Sequence, residues 1–161
     1  MILILFLQSN FLNEFSLYGI IPNAGIVLVC ALGIVSGEFV GGLSGVVYGM
    51  FVDIAFGKTI GLFLLLYFLI GICAGFLKNT FSKENKYALS LMVFAGTIIF
   101  EILTAILSSI LFETSINYIY LLKVVCIEEI YNMFLTFIMY RPLVFWGEYI
   151  NRTRDSYYLL H

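Results

Sequence analysis

Residues 33–75 read GIVSGEFVGGLSGVVYGMFVDIAFGKTIGLFLLLYFLIGICAG. Glycine falls at 33, 37, 41, 45 and 49, Asp53 takes the next place in that spacing, and Gly57, Gly61, Gly71 and Gly75 continue it. Nearly everything else in the stretch is apolar. Glycine carries no side chain, so rows of it let helix backbones approach closely inside a bilayer. Two short turns, Ser36-Gly37-Glu38 and Gly57-Lys58-Thr59, cut the stretch into the end of one span, a whole second span and most of a third. Gly41, Gly45 and Gly49 then lie on one face of the middle span, and Gly71 and Gly75 on the span after it. A step of four drifts by about 40° per repeat on an ideal helix, so the row is a slanting groove. That groove serves either packing between the two spans or docking of another protein's transmembrane helix.

The whole chain supports a membrane reading. Of its 161 residues 62% are hydrophobic and 11% charged, with mean hydropathy +1.06. A soluble domain is about half apolar and about a quarter charged. The apolar runs are continuous rather than alternating, which predicts helices and not an outer-membrane barrel. The expected fold is all-α, a single integral membrane domain of six transmembrane helices over about residues 1–17, 22–35, 39–56, 60–77, 87–111 and 118–140. Pro22 suits a first helical turn. Arg141-Pro142 is expected to end the last span. Residues 141–161, with Trp146, Tyr149, Tyr157 and Tyr158 beside Arg152 and Arg154, have the make-up of an interfacial tail. The N-terminal run has neither a basic flank nor a small-residue cleavage site, so it reads as a span and not a signal peptide.

Charge sets the expected sidedness. Lys78, Lys83, Lys86, Arg141, Arg152 and Arg154 fall on one side of such a bundle and only Lys58 in the loops of the other. The positive-inside bias therefore predicts both termini in the cytoplasm.

The polar residues inside the spans are few. Asp53 sits near the outer end of its span, close to Lys58 in sequence; it is either held by that lysine or by donors in the hairpin, or it meets a partner. Thr97, Glu101, Thr104 and Ser108 step by four, three and four and so share one helix face. In the last span Glu128, Asn132 and Thr136 follow at four-residue spacing, while Glu129 points about 100° from Glu128. Glu101 and the Glu128/Glu129 pair fall at matched depth in neighbouring antiparallel helices. They form either a hydrogen-bonded packing cluster or a polar pocket at mid-membrane. Lys123 lies in the last span, where it snorkels outward or pairs with an acid.

Catalysis has no signature here. The only histidine is His161, and no zinc-binding or serine-nucleophile motif occurs. Gly57-Lys58-Thr59 lacks the upstream glycine of a phosphate loop, since position 52 is Val52. Cys30, Cys73 and Cys126 lie in apolar runs at spacings that suit neither a metal nor a redox pair. We expect no enzyme, no cofactor, no metal and no nucleic-acid partner.

The short first run FLQSNFLNEF, a proline opening the second span, the glycine-rich third span ending Gly49-Met50-Phe51-Val52-Asp53, and Gly57 and Gly61 before the fourth together resemble the rod shape-determining MreD family. Asn132 also suits that family; the Glu128-Glu129 pair is not part of its pattern. The resemblance implies a non-catalytic subunit of the bacterial elongation machinery, in the cytoplasmic membrane. It would support cell shape and lateral peptidoglycan synthesis by docking the helices of partners. Those partners would be an MreC-like single-span protein, RodA and a class B penicillin-binding protein, MreB filaments indirectly, and membrane lipid. It also implies a fold similar to the membrane substrate-binding subunits of energy-coupling factor transporters. An alternative is therefore a vitamin-binding subunit of such a transporter, although the loops are short for closing a deep pocket. A third reading is a proton-coupled carrier or intramembrane enzyme using Glu101, Glu128 and Glu129.

Overall fold

A computed structural model describes residues 19–56, 61–79 and 86–158. Five α-helices follow one another: α1 (Ala24–Ser36), α2 (Glu38–Phe56), α3 (Leu62–Phe76), α4 (Lys86–Phe112) and α5 (Tyr118–Tyr158), with a 3-10 turn at Leu77–Asn79 after α3. No strand occurs among the described residues. The expected span at residues 1–17 lies outside them.

Counting every apolar run as a crossing overstates the spans. Among the described residues two helices are long and apolar enough to cross a bilayer unaided, through Glu38–Ala55 of α2 and Leu89–Phe112 of α4. Helices α1 and α3 have 13 and 15 residues. At about 1.5 Å per residue they reach about 20 Å and 22 Å, against roughly 30 Å of hydrocarbon. The apolar part of α5 carries Lys123, Glu128 and Glu129.

Helix α1 is the centre of the bundle and touches all four others. Eleven of its residues are buried, on every side of the helix. A helix apolar all round must be enclosed, and here protein encloses it. The outward faces of α2, α4 and α5 instead show large apolar side chains, among them Phe39, Leu43, Met50 and Ile54 on α2 and Ile110, Ile119 and Ile130 on α4 and α5. Such a surface suits lipid.

The glycine row is the inner seam of the α2–α3 hairpin. A β-carbon on Gly41 would strike the carbonyl oxygen of Gly71, one on Gly45 the backbone of Tyr67, and one on Gly49 that of Phe63 and Leu64. On α3, Gly75 meets Gly37 and Glu38, and Gly71 meets Gly41. The α3 residues in this seam also step by about four, so the two rows drift together and stay in contact along the hairpin. Gly33 of α1 enters the same place: its β-carbon would fall against Gly71, Ala74 and Gly75, and that of Gly41 against Gly33. Three backbones thus meet at Gly33, Gly41 and Gly71. Of the two uses the sequence left open for these glycines, the geometry is that of packing within the chain.

Asp53 closes the hairpin. Its carboxylate accepts from the backbone N–H groups of Gly61 (2.9 Å), Phe63 (3.0 Å) and Leu64 (3.0 Å). The first N–H groups of a helix have no partner within it, so an acid at the end of α2 caps the start of α3. Gly61 takes φ +110°, a left-handed value that suits glycine. Lys58, the other partner considered for Asp53, lies outside the described residues. At the opposite end Lys78 Nζ donates to the carbonyl of Ser36 (2.9 Å), one of the last carbonyls of α1.

Two boundaries differ from expectation. Pro22 precedes the cap residue Asn23, so it stands before α1 and not in its first turn. Helix α5 does not stop at Arg141-Pro142: Pro142 lies inside it and the helix continues to Tyr158. Proline removes one intrahelical hydrogen bond and disfavours helix in the residue before it, but a long helix with good formers on both sides absorbs that loss as a local defect.

Candidate functional site

The start of α1 falls in the middle of the bundle and brings a polar residue there. The side-chain oxygen of Asn23 accepts from the N–H of Ile26 (3.3 Å), capping the helix, and from the Tyr67 hydroxyl of α3 (2.6 Å). The Asn23 N–H donates to Asn132 Oδ1 of α5 (2.9 Å). Asn132 Nδ2 donates to Thr97 Oγ1 of α4 (2.9 Å), and Thr97 Oγ1 donates in turn to the carbonyl of Val93 (2.9 Å). Four helices are therefore joined through a fully buried chain of hydrogen bonds. The Tyr67 ring packs against Tyr48 (centroids 5.0 Å apart, edge-on) and Phe100 (4.9 Å), walling the network with aromatic surface.

Glu101 and Glu128 meet at the edge of this network and hydrogen-bond each other; Glu128 also reaches Asn132 and Asn23. A carboxylate only accepts, so a hydrogen bond between two carboxyl groups requires a proton on one of them. The structure thus brings together Thr97, Glu101, Glu128 and Asn132 from the two stripes seen in the sequence. Thr136 lies on the same face but bonds its own helix, donating to the Asn132 carbonyl (2.7 Å). Glu129 is buried, with neither carboxyl oxygen partnered among the described residues. Lys123 is exposed. Asp53 sits in the hairpin, away from this network. Cys30, Cys73 and Cys126 are free.

Asn23 and Tyr67 are the members that spacing did not reveal. Asn23 stands outside any periodic stripe, and Tyr67 is one aromatic in an apolar run. The available signal was Pro22-Asn23 ahead of an uninterrupted apolar segment, a helix-start pattern that marks Asn23 as a cap.

Between Glu101 and the α4–α5 turn lies a cavity of about 310 Å³. Its inner end is Glu101 and Thr104, its rim Thr114–Asn117, and Tyr120 and Leu121 of α5 form part of its wall. The Thr104 hydroxyl is buried there without a partner among the described residues. The rim is set by local bonds: Ser109 Oγ donates to the Thr114 carbonyl (2.8 Å), and Asn117 Oδ1 caps α5 by accepting from the Tyr120 N–H (3.1 Å).

The network makes a graded prediction. Asn132→Ala strands the Asn23 N–H and removes the donor to Thr97, so it should destabilise the fold by about 2–4 kcal/mol. Thr136→Ala removes only a bond to its own helix and should cost less than about 1 kcal/mol. Thermal unfolding of the two variants in lipid nanodiscs measures the gap; equal effects would show that Asn132 does not bridge the helices.

Fold and site define an all-helical membrane protein with a mid-bundle polar network opening to a cavity at one end. Over residues 1–143 the chain matches the model of the family described as 5TMR of 5TMR-LYT, a five-transmembrane family, and it belongs to that family. No curated protein and no solved structure matches it. The match corrects the resemblance to MreD and, with it, the count of six spans. The reason lies in the motif itself. Glycines at four-residue spacing followed by Asp53 are what a close helical hairpin capped by an acid requires, so the pattern reports a packing solution and does not identify a family. The rod-complex partners and the cell-shape role rested on that resemblance and have no other support in the molecule.

Proposed function

We propose that this chain is a non-catalytic, small-molecule-binding module of a membrane, taking its ligand in the cavity between α4 and α5. The observation that carries this reading is the cavity itself: about 310 Å³, ending on Glu101 and the unpartnered Thr104 hydroxyl, and continuous with the network through Glu128. Its volume falls at the lower end of ligand pockets, about 300–1,000 Å³. Lys78 and Arg141 lie toward the other end of the bundle, and the positive-inside bias on that end supports a cavity that opens on the non-cytoplasmic side.

Helix α5 gives occupancy a way out. It lines the cavity at Tyr120 and Leu121, carries Glu128 and Asn132, and runs 41 residues, about 60 Å at about 1.5 Å per residue. That is about twice the hydrocarbon thickness. A shift of α5 at the cavity is therefore felt beyond the membrane.

Ala105→Trp tests the reading by filling the cavity. Purified protein is melted with a panel of small amines, amino acids, carboxylic acids and sugars. At least one class should raise the melting temperature of the parent chain and leave Ala105→Trp unmoved. If no class does so, or if both proteins respond alike, the cavity is not a ligand site.

A further inference from the structure

We propose that the cavity between α4 and α5 selects a small organic cation, its ammonium group seated on the Glu101 carboxyl. This rests on the reading of the cavity as a ligand site. Among the described residues the lining contains one carboxylic acid, Glu101, and no lysine, arginine or histidine. Its other polar side chains are neutral: the hydroxyls of Thr104, Ser108, Thr114, Ser115 and Tyr120 and the amide of Asn117. Glu101 shares a hydrogen bond with Glu128, so the pair retains one negative charge when it holds one proton. Glu128 turns to Asn132 and Asn23, whereas Glu101 lines the cavity. A ligand entering from the rim therefore meets Glu101, whose bonded side-chain partner among the described residues is Glu128. A carboxylate ligand would meet a like charge with no basic residue in the described lining to offset it, in a setting where charge is poorly screened.

Size argues against a bare metal ion. The cavity, about 310 Å³, would hold roughly ten water molecules at about 30 Å³ each. The inner end presents a carboxyl and a hydroxyl rather than a closed cage of oxygens. Above them Leu121 and Val124 supply apolar wall, and Tyr120 supplies aromatic surface of the kind that attracts alkylammonium groups. Thr104 Oγ1, buried and unpartnered, offers a hydrogen bond beside the charge. The geometry fits an amine carrying a short chain and one further polar group.

The test uses the chain in nanodiscs at constant ionic strength, titrated calorimetrically with choline and ethanolamine, with their uncharged carbon isosteres, and with carboxylates of matched size. The cations should saturate the parent protein and bind at least about tenfold more tightly than the isosteres, the scale of one charge-assisted contact. Glu101→Gln should bring the cations down to the level of the isosteres while leaving isostere binding unchanged; unchanged isostere binding also shows that the variant is folded. The proposal is overturned if isosteres or carboxylates bind the parent as tightly as the cations. It is equally overturned if Glu101→Gln keeps the preference for cations, or if sodium alone reproduces the effect. A neutral or anionic compound that binds the parent but not Ala105→Trp would overturn the cation while leaving the ligand site standing. Failure of every class to bind would remove both.

Discussion

Gly41→Ala should prevent the chain from reaching its packed state, whereas Gly96→Ala should leave it unharmed. The chemical change is the same, one methyl group in a glycine of a membrane helix. At Gly41 the added carbon meets the Gly71 carbonyl and the α-carbon of Gly33, backbone atoms of two other helices that cannot turn aside. At Gly96 it falls 3.5–3.6 Å from side-chain atoms of Ile26, Cys30 and Ile70, which is ordinary contact. Overpacking a core typically costs about 1–3 kcal/mol. A collision of three backbones lies at or above the top of that range, so we expect about 3 kcal/mol or more at Gly41. At Gly96 the higher helix propensity of alanine, up to about 1 kcal/mol, makes the expected effect neutral or slightly stabilising. Yield of monodisperse protein and melting temperature read the contrast directly. Were the two variants to behave alike, the register of the α2–α3 seam would be wrong.

Asp53→Ala is the second large effect, and it should be local in origin. The substitution strands the N–H groups of Gly61, Phe63 and Leu64 at the start of α3. Each buried donor left unpaired costs about 1–3 kcal/mol, and the three share one carboxylate, so we expect a loss of about 3 kcal/mol or more. Asp53→Asn should recover part of it. Its amide oxygen can still accept at one end, but its NH₂ faces a backbone donor at the other. Hydrogen exchange gives the sharper readout. Amides at 61–64 should lose protection in Asp53→Ala before those of α4 do. Uniform loss across the bundle would mean that Asp53 does not act as the cap of α3.

These two predictions show how much was readable beforehand. The four-residue spacing of Gly41, Gly45, Gly49 and Asp53 placed them on one face, because spacing alone sets the face of a helix. What that face meets depends on where α3 lies, and spacing within α2 is blind to it. The stripes Thr97–Glu101 and Glu128–Asn132 were legible for the same reason. Their joining through Asn23 and Tyr67 was not, because it needs α1 to begin at mid-depth. The cavity was illegible too, since a void is bounded by several elements and encoded by none. Span counting misled because hydropathy records how apolar a segment is, and both lipid and a protein interior satisfy that demand.

By itself, the amino-acid sequence determined the class of this protein: helices in a membrane, one closely packed hairpin, acids held within the spans. Composition and periodicity are local properties and they settle local questions. The tertiary structure alone decided that the glycines face inward to three converging backbones, that Asp53 caps a helix, and that Glu101 stands at the end of a cavity with Glu128 behind it. Each of these depends on groups far apart in the chain arriving within a few ångströms of one another, and only the packed bundle sets those distances.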